Sequence, residues 1–125
     1  MKTELSITKS LILIGLGVPE EKASKIITEN IKDYDDGISS VGTTYRVFKL
    51  EDLFKILPKY LKYEFEGVKY AADFSFRWNN RFLHYEAGYD LYDMWDKSHH
   101  CAAELIDALY ELIVWYLKNK KELEK

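Results

Sequence analysis

The alternation of apolar and polar residues through residues 68–91 limits what this chain can fold into more than any other feature. Even positions carry Val68, Tyr70, Ala72, Phe74, Phe76 and Trp78, and odd ones Lys69, Ala71, Asp73, Ser75 and Arg77. A period of two is the pattern of a β-strand with one face on a core. Past Asn79 and Asn80 the apolar phase moves to the odd positions Leu83, Tyr85, Ala87, Tyr89 and Leu91. A two-residue turn produces that switch, and asparagine tolerates the positive φ of a type I′ turn. The reading is one long hairpin in which Trp78 faces Arg81, Phe76 faces Leu83 and Phe74 faces Tyr85. All the apolar rows then share one side.

A hairpin needs cover. The C-terminal part supplies it: Ala102, Leu105, Leu109, Leu112 and Tyr116 recur at helical spacing, widened by Ile106, Ile113 and Leu117. A helix is predicted over residues 98–117 with Ser98 as N-cap. Phe74, Phe76, Leu83, Tyr85, Leu105, Leu109 and Leu112 are its expected interface with the hairpin.

Upstream, Thr8 is the expected N-cap of a short helix over residues 9–14, with Ile7 and Ile12 as a hydrophobic staple and Gly15 and Gly17 as its end. Pro19 opens a second expected helix whose stripe is Ala23, Ile26, Ile27 and Ile31. Residues 33–44, rich in Asp, Ser, Gly and Thr, read as a mobile acidic loop. Residues 45–48 read as a short edge strand. Leu50, Leu53, Phe54 and Leu57 then mark a helix stopped by Pro58. Leu61, Tyr63 and Phe65 mark another strand, which turns at Glu66-Gly67 into the hairpin. The fold class is α+β: an antiparallel β-meander with a long central hairpin, covered by a C-terminal amphipathic helix and short N-terminal helices.

Composition sets the remaining bounds. At 125 residues and 47% apolar, 15% aromatic, the chain reads as one folded domain over residues 1–125. A formal net charge of −3 gives no general attraction to nucleic acid or anionic membrane. The run Leu11-Ile12-Leu13-Ile14 is too short to span a bilayer. Without a basic n-region and h-region at its start the chain reads as cytoplasmic, and Cys101, the sole cysteine, as a small buried apolar residue.

Two longer stretches, Phe48-Lys49-Leu50-Glu51-Asp52-Leu53 through Ile56-Leu57-Pro58-Lys59 and Glu104-Leu105-Ile106-Asp107-Ala108-Leu109-Tyr110 through Trp115, carry a resemblance. With Ile7-Thr8-Lys9 and Leu16-Gly17-Val18-Pro19 through Lys22-Ala23-Ser24, they are similar to small uncharacterised proteins of gut-bacterial phages and mobile elements. The resemblance implies a genomic origin. It implies no mechanism, because its motifs are caps, a proline stop and an amphipathic helix, and no functional residue carries over.

Three constellations bear on chemistry. Residues 11–17 imitate a strand entering a Gly-rich phosphate loop, but Glu20 stands where a dinucleotide fingerprint needs its third glycine. Asp93, Asp96, His99, His100 and Cys101 hold every common ligand type within nine residues. On the predicted helix the adjacent histidines point about 100° apart, so these are read as solvated first-turn residues and no metal or other cofactor is expected. On the polar face of the hairpin, Asp73 is expected opposite Glu86, Ser75 opposite His84, and Arg77 opposite Phe82. Asp73 against Glu86 is a like-charge pair that needs a cation or a shared proton unless water screens it.

The leading functional reading is a small non-enzymatic protein-binding module. Its candidate binding residues are Asp73, Ser75, Arg77, His84 and Glu86 on the polar face, with Tyr92 and Trp95 in the acidic aromatic stretch that also contains Tyr89. The partner is another protein or a second copy of the chain. An acid-base or metal-dependent enzyme using Asp73, His84 and Glu86 is the alternative from a second class. A single-stranded nucleic-acid platform around Arg77, Trp78, Arg81 and Phe82 is the third, disfavoured because Trp78 belongs to the expected buried row.

Overall fold

The computed structural model describes residues 2–31, 41–89 and 98–123. Its elements in chain order are α1 (Ile7–Gly15), a 3-10 turn (Glu20–Lys22), β1 (Lys25–Ile31), β2 (Val41–Val47), α2 (Leu50–Ile56), β3 (Tyr60–Phe65), β4 (Val68–Asn79), β5 (His84–Tyr89), β6 (His100–Ala102) and α3 (Leu105–Leu123). The fold is α+β. β1 and β2 form an antiparallel pair, and β3-β4-β5-β6 form an antiparallel meander. No helix among the described residues is long and apolar enough to cross a membrane.

The cap of α1 lies two residues earlier than expected: Ser6, not Thr8, is the N-cap, and its Oγ accepts from the Lys9 N–H at 3.2 Å. It ends as the glycines require, with Gly17 at φ 111° and the Val18 N–H donating to the Leu13 carbonyl at 3.1 Å. The second expected helix is absent. Beyond the 3-10 turn the chain enters β1, and Ile26, a member of the supposed stripe, is 57% exposed. Ile26, Ile27 and Thr28 are β-branched, which disfavours helix and suits a pleated strand. Pairing with β2 satisfies their backbone in a way no local pattern announces. β2 also takes residues 41–44 from the expected acidic loop, whose residues 33–40 lie outside the described residues.

The joint between these parts is polar and fully bonded. Asp52, buried at the third position of α2, accepts from the Lys49 N–H at 2.9 Å, the Ser24 N–H at 3.0 Å and the Ser24 hydroxyl at 2.7 Å. Burial alone would raise its pKa. The Lys49 and Ser24 hydrogen bonds, with Lys55 nearby, prevail and hold it below the usual carboxylate value. One carboxylate thus ties the start of β1 to the cap of α2. Buried Ser10 similarly accepts from the Phe48 N–H at 3.2 Å, tying α1 to the residue after β2.

The meander meets α3 as expected, over a shorter interface. Leu109, Leu112, Ile106 and Ile113 are fully buried with Ala87, Tyr89 and Ala72 of the sheet and Leu53 of α2. Phe74 and Tyr85 are partly buried against this core. Phe76 and Leu83 are not in it: they are 49% and 68% exposed. The hairpin register explains both. Phe76 pairs with Ala87 and Trp78 with Tyr85, a shift of four residues along β5 from the expected pairing, because the loop is Asn80-Arg81-Phe82-Leu83 and not Asn79-Asn80. Asn79 Oδ1 accepts from the N–H groups of Arg81 (2.9 Å) and Phe82 (3.2 Å), which builds the wider turn, and Leu83 closes it at φ 53°. The shift replaces the like-charge pair Asp73/Glu86 by Arg77/Glu86 and sets Trp78 edge-on to Tyr85 at 4.8 Å.

The expected helix start near Ser98 is also corrected. Ser98 is buried below β5, its hydroxyl donating to the Tyr89 carbonyl at 2.9 Å, and β6 intervenes before α3. A Cβ on Gly88 would stand 3.1 Å from the Ser98 carbonyl oxygen, so this close crossing favours glycine.

These burials give a discriminating pair of variants. Leu109→Ala is expected to lower stability by about 2–5 kcal/mol. Leu83→Ser, at a position the alternation alone would bury, is expected to change it by less than about 0.5 kcal/mol. Urea denaturation of both checks the register: a costly Leu83→Ser contradicts it.

Candidate functional site

Strand alternation collects polar side chains on the face of the meander turned away from α3. Arg77 and Asn79 come from β4, His84 and Glu86 from β5, and the register sets Arg77 opposite Glu86, Asn79 opposite His84, and Glu86 opposite Cys101. His99 stands two residues before Cys101 and reaches the same group. At the centre lies Glu86, 5% exposed.

Its carboxylate is enclosed by its own partners. Oε2 accepts from Arg77 Nε at 2.6 Å and has His99 Nε2 at 3.4 Å; Oε1 accepts from Asn79 Nδ2 at 2.9 Å and lies 3.0 Å from His84 Nε2. The Arg77 hydrogen bond above all, then those of Asn79 and His84, pull the Glu86 pKa from 4.5 down to about 2 against the opposing effect of burial. Cys101 lies 4.0 Å from His99 Nδ1, its sulfur exposed to solvent on one side. Partial desolvation, then the charge of Glu86, raise its thiol pKa, with Arg77 opposing. Phe82 stacks on the His84 ring at 5.7 Å between centroids and 20° between planes, which fixes the imidazole's plane.

Of the sequence-derived candidates, Arg77, His84 and Glu86 converge. Asp73 shares their face but pairs with Tyr60 of β3, away from Glu86, and stays exposed. Ser75 lies opposite Gly88, not His84, and is half-buried. Tyr89, grouped with the interface aromatics, is fully buried, its hydroxyl donating to the Pro58 carbonyl at 2.7 Å. Tyr92 and Trp95, like Asp93 and Asp96, lie outside the described residues.

Asn79, His99 and Cys101 are the members that sequence reasoning misplaced. The alternation puts Asn79 in the turn, whereas it is a strand residue holding a carboxylate. The helical spacing puts His99 and Cys101 in the first turn of a helix, whereas they lie in and beside β6. In an extended segment residues i and i+2 share a face, so both look toward Glu86 while His100 points the other way, 6.3 Å from the Trp115 ring of α3. Ser98-His99-His100-Cys101-Ala102 carries no apolar–polar alternation, and a three-residue strand is too short to register as a period. Cys101, expected to be buried, is exposed.

Near the N-terminus, an open polar groove of about 490 Å³ is lined by Thr3, Glu4, Ser24, Lys25 and Lys49. Its two lysines, Lys25 and Lys49, are matched in number by Glu4, ion-paired to Lys25, and Glu51, and it shares no residue with the Glu86 cluster. In comparison with known proteins, no family model matches the chain, and no curated protein or solved structure is significantly similar to it.

The depressed pKa of Glu86 has a definite consequence for stability. Because the folded state favours the ionised form, the unfolded state binds more protons between pH 4.5 and about 2. The contribution is complete above the unfolded value and is lost as pH falls toward about 2. Denaturation free energies measured from pH 6 down through this window are expected to fall less steeply in Glu86→Gln than in the parent chain; equal slopes would show that the partners of Glu86 are not formed in solution.

Proposed function

We propose that this chain is a small protein-binding module that takes up an extended segment of its partner along the open edge of β4. The observation that carries the reading is the state of Phe76 and Trp78. The Phe74 N–H donates to the Lys59 carbonyl at 2.9 Å, so it points toward the β3 side. Successive residues of a strand direct their peptide groups to opposite edges, and Phe76 and Trp78 therefore point their N–H and C=O groups the same way. There β3 has ended, and among the described residues no strand runs beside this half of β4.

The side chains at these positions are open too. Phe76 and Trp78 are 49% and 44% exposed, and Phe82 and Leu83 at the hairpin tip are 63% and 68% exposed. The Trp78 indole is held by its N–H donating to Asn80 Oδ1 at 2.7 Å. Natural sheets usually blunt such an edge with charge. Here Arg77, the cation between Phe76 and Trp78 in the strand, is turned to Glu86 on the other face. Backbone groups would supply affinity and the aromatic ledge a preference for alternating apolar residues. The edge takes over the role first assigned to the acidic aromatic stretch. A phage or mobile-element origin, the expectation from the resemblance, and a cytoplasmic setting suit a chain that acts by contact with another protein.

Selection of binders from a displayed library of random peptides tests this. Enriched peptides are expected to alternate apolar residues, to slow hydrogen exchange at the Phe76 and Trp78 amides, and to lose more than about tenfold in affinity to a Phe76→Ser/Trp78→Ser variant that keeps its denaturation midpoint. Protection of the same amides at high protein concentration without peptide would identify the partner as a second copy. Protection elsewhere, or salt-dependent binding of single-stranded nucleic acid over Trp78, Arg81 and Phe82, would overturn the reading.

A further inference from the structure

The Glu86 cluster lies on the opposite face from the aromatic ledge, and its chemistry is independent of peptide binding. We propose that His84, Glu86 and Cys101, with His99 closing the fourth side, form a binding site for zinc or a transition metal of similar softness.

Two neighbouring strands bring the donors together: His84 and Glu86 from β5, and Cys101 from β6 with His99 just before it. One ligand atom from each of His84, Glu86 and Cys101 can be chosen so that all three lie within 4.8 Å of one another. His84 Nε2 is 3.0 Å from Glu86 Oε1, His99 Nε2 is 3.4 Å from Glu86 Oε2, and the other His99 nitrogen is 4.0 Å from Cys101 Sγ. A tetrahedral zinc ion with bonds of about 2.0–2.1 Å to nitrogen or oxygen and about 2.3 Å to sulfur spaces its ligands about 3.3–3.6 Å apart. His84 Nε2 and Glu86 Oε1 already stand near that spacing, and His99 offers one ring nitrogen at a time, Nε2 on the side of Glu86 Oε2 or Nδ1 on the side of Cys101. Only the sulfur must close in, and the exposed Cys101 side chain is free to turn.

The surroundings are those of a supported site. Ligating carboxylates and imidazoles are ordinarily oriented by a second layer of contacts. Here Asn79 holds the Glu86 carboxylate and Phe82 fixes the plane of His84. Arg77 now provides the positive charge that Glu86 requires. Its side chain is 67% exposed and can swing into water, freeing Oε2 for an ion. The donor set also selects the metal. Magnesium and calcium require mainly oxygen ligands, whereas thiolate with imidazole suits zinc and cobalt. Cys101 and His84 are both solvent-accessible in part, so an ion has a path of entry.

Titration of the reduced, chelator-treated full chain with cobalt(II), followed by displacement with zinc, tests the proposal. The expected result is one cobalt per chain with a tetrahedral visible spectrum and a thiolate-to-cobalt charge-transfer band, a rise in the thermal midpoint with zinc, and no effect of magnesium. Cys101→Ser is expected to abolish the charge-transfer band, and Cys101→Ser, His84→Gln and His99→Gln each to weaken uptake more than about tenfold. His100→Ala, on the opposite face, is expected to leave uptake unchanged. Circular dichroism of the variants separates loss of ligand from loss of fold. A cobalt spectrum without the thiolate band, or an affinity that Cys101→Ser and His84→Gln do not alter, would overturn the site.

Discussion

The mismatch in length between β4 and its neighbours is the constraint from which the rest of the structure follows. β4 has twelve residues; its first six pair with β3 and its last six with β5. Each half is therefore covered on a different edge. The second half gains β5, and through it β6 and the underside of α3, while its other edge runs past the end of β3. One backbone arrangement thus accounts for both the open aromatic edge and the polar cluster on the reverse face. Moving the register would dissolve both, since Arg77 would no longer oppose Glu86 and Trp78 would no longer pack on Tyr85.

Charge is placed where elements join. Asp52 links β1 to α2, Glu86 links β4, β5 and the segment entering β6, and Asp107 of α3 bonds Lys9 of α1 at 3.1 Å and Lys2 at 3.2 Å. In Asp52 and Asp107 burial is the largest single influence and works against ionisation, yet hydrogen bonds and nearby lysines together outweigh it. In Glu86 the Arg77 hydrogen bond is itself the largest influence, because the carboxylate is closed off by its partners and not by depth. An apolar side chain at Asp52 would strand the Lys49 and Ser24 N–H groups, and stranded buried donors are costly. The three joints therefore specify geometry more than they add stability.

Sequence reasoning located elements best where a local period was long. The β4 and β5 faces, α2 up to Pro58 and the buried stripe of α3 all followed from spacing over six residues or more, and the Glu66-Gly67 turn, with φ of 50° and 79°, from its place between two alternating runs. It failed where two periods fitted the same residues: Ala23, Ile26, Ile27 and Ile31 satisfy a helical stripe, and only the pairing of β1 with β2 shows that the three isoleucines are strand. It failed again at β6, three residues long. In the candidate site His84, Glu86 and Arg77 were legible as a shared face, whereas the link to His99 and Cys101 was not. Those two sat in a different constellation, more than ten residues away along the chain.

Alternation by itself determined which face of the hairpin each residue occupies, because a side chain's face depends on its neighbours' φ and ψ and on nothing distant. It determined for the same reason that Asp73, Arg77, His84 and Glu86 lie together on the polar side. Which of them touch was decided by tertiary structure. A shift of the register by an even number preserves every face and changes every partner. The choice among such registers rests on contacts made across the sheet: Arg77 with Glu86, Trp78 with Tyr85, Asn79 bonding the turn, and Gly88 admitting the backbone of Ser98. None of these is encoded in the period of a single strand, so the face was a property of the sequence and the site a property of the fold.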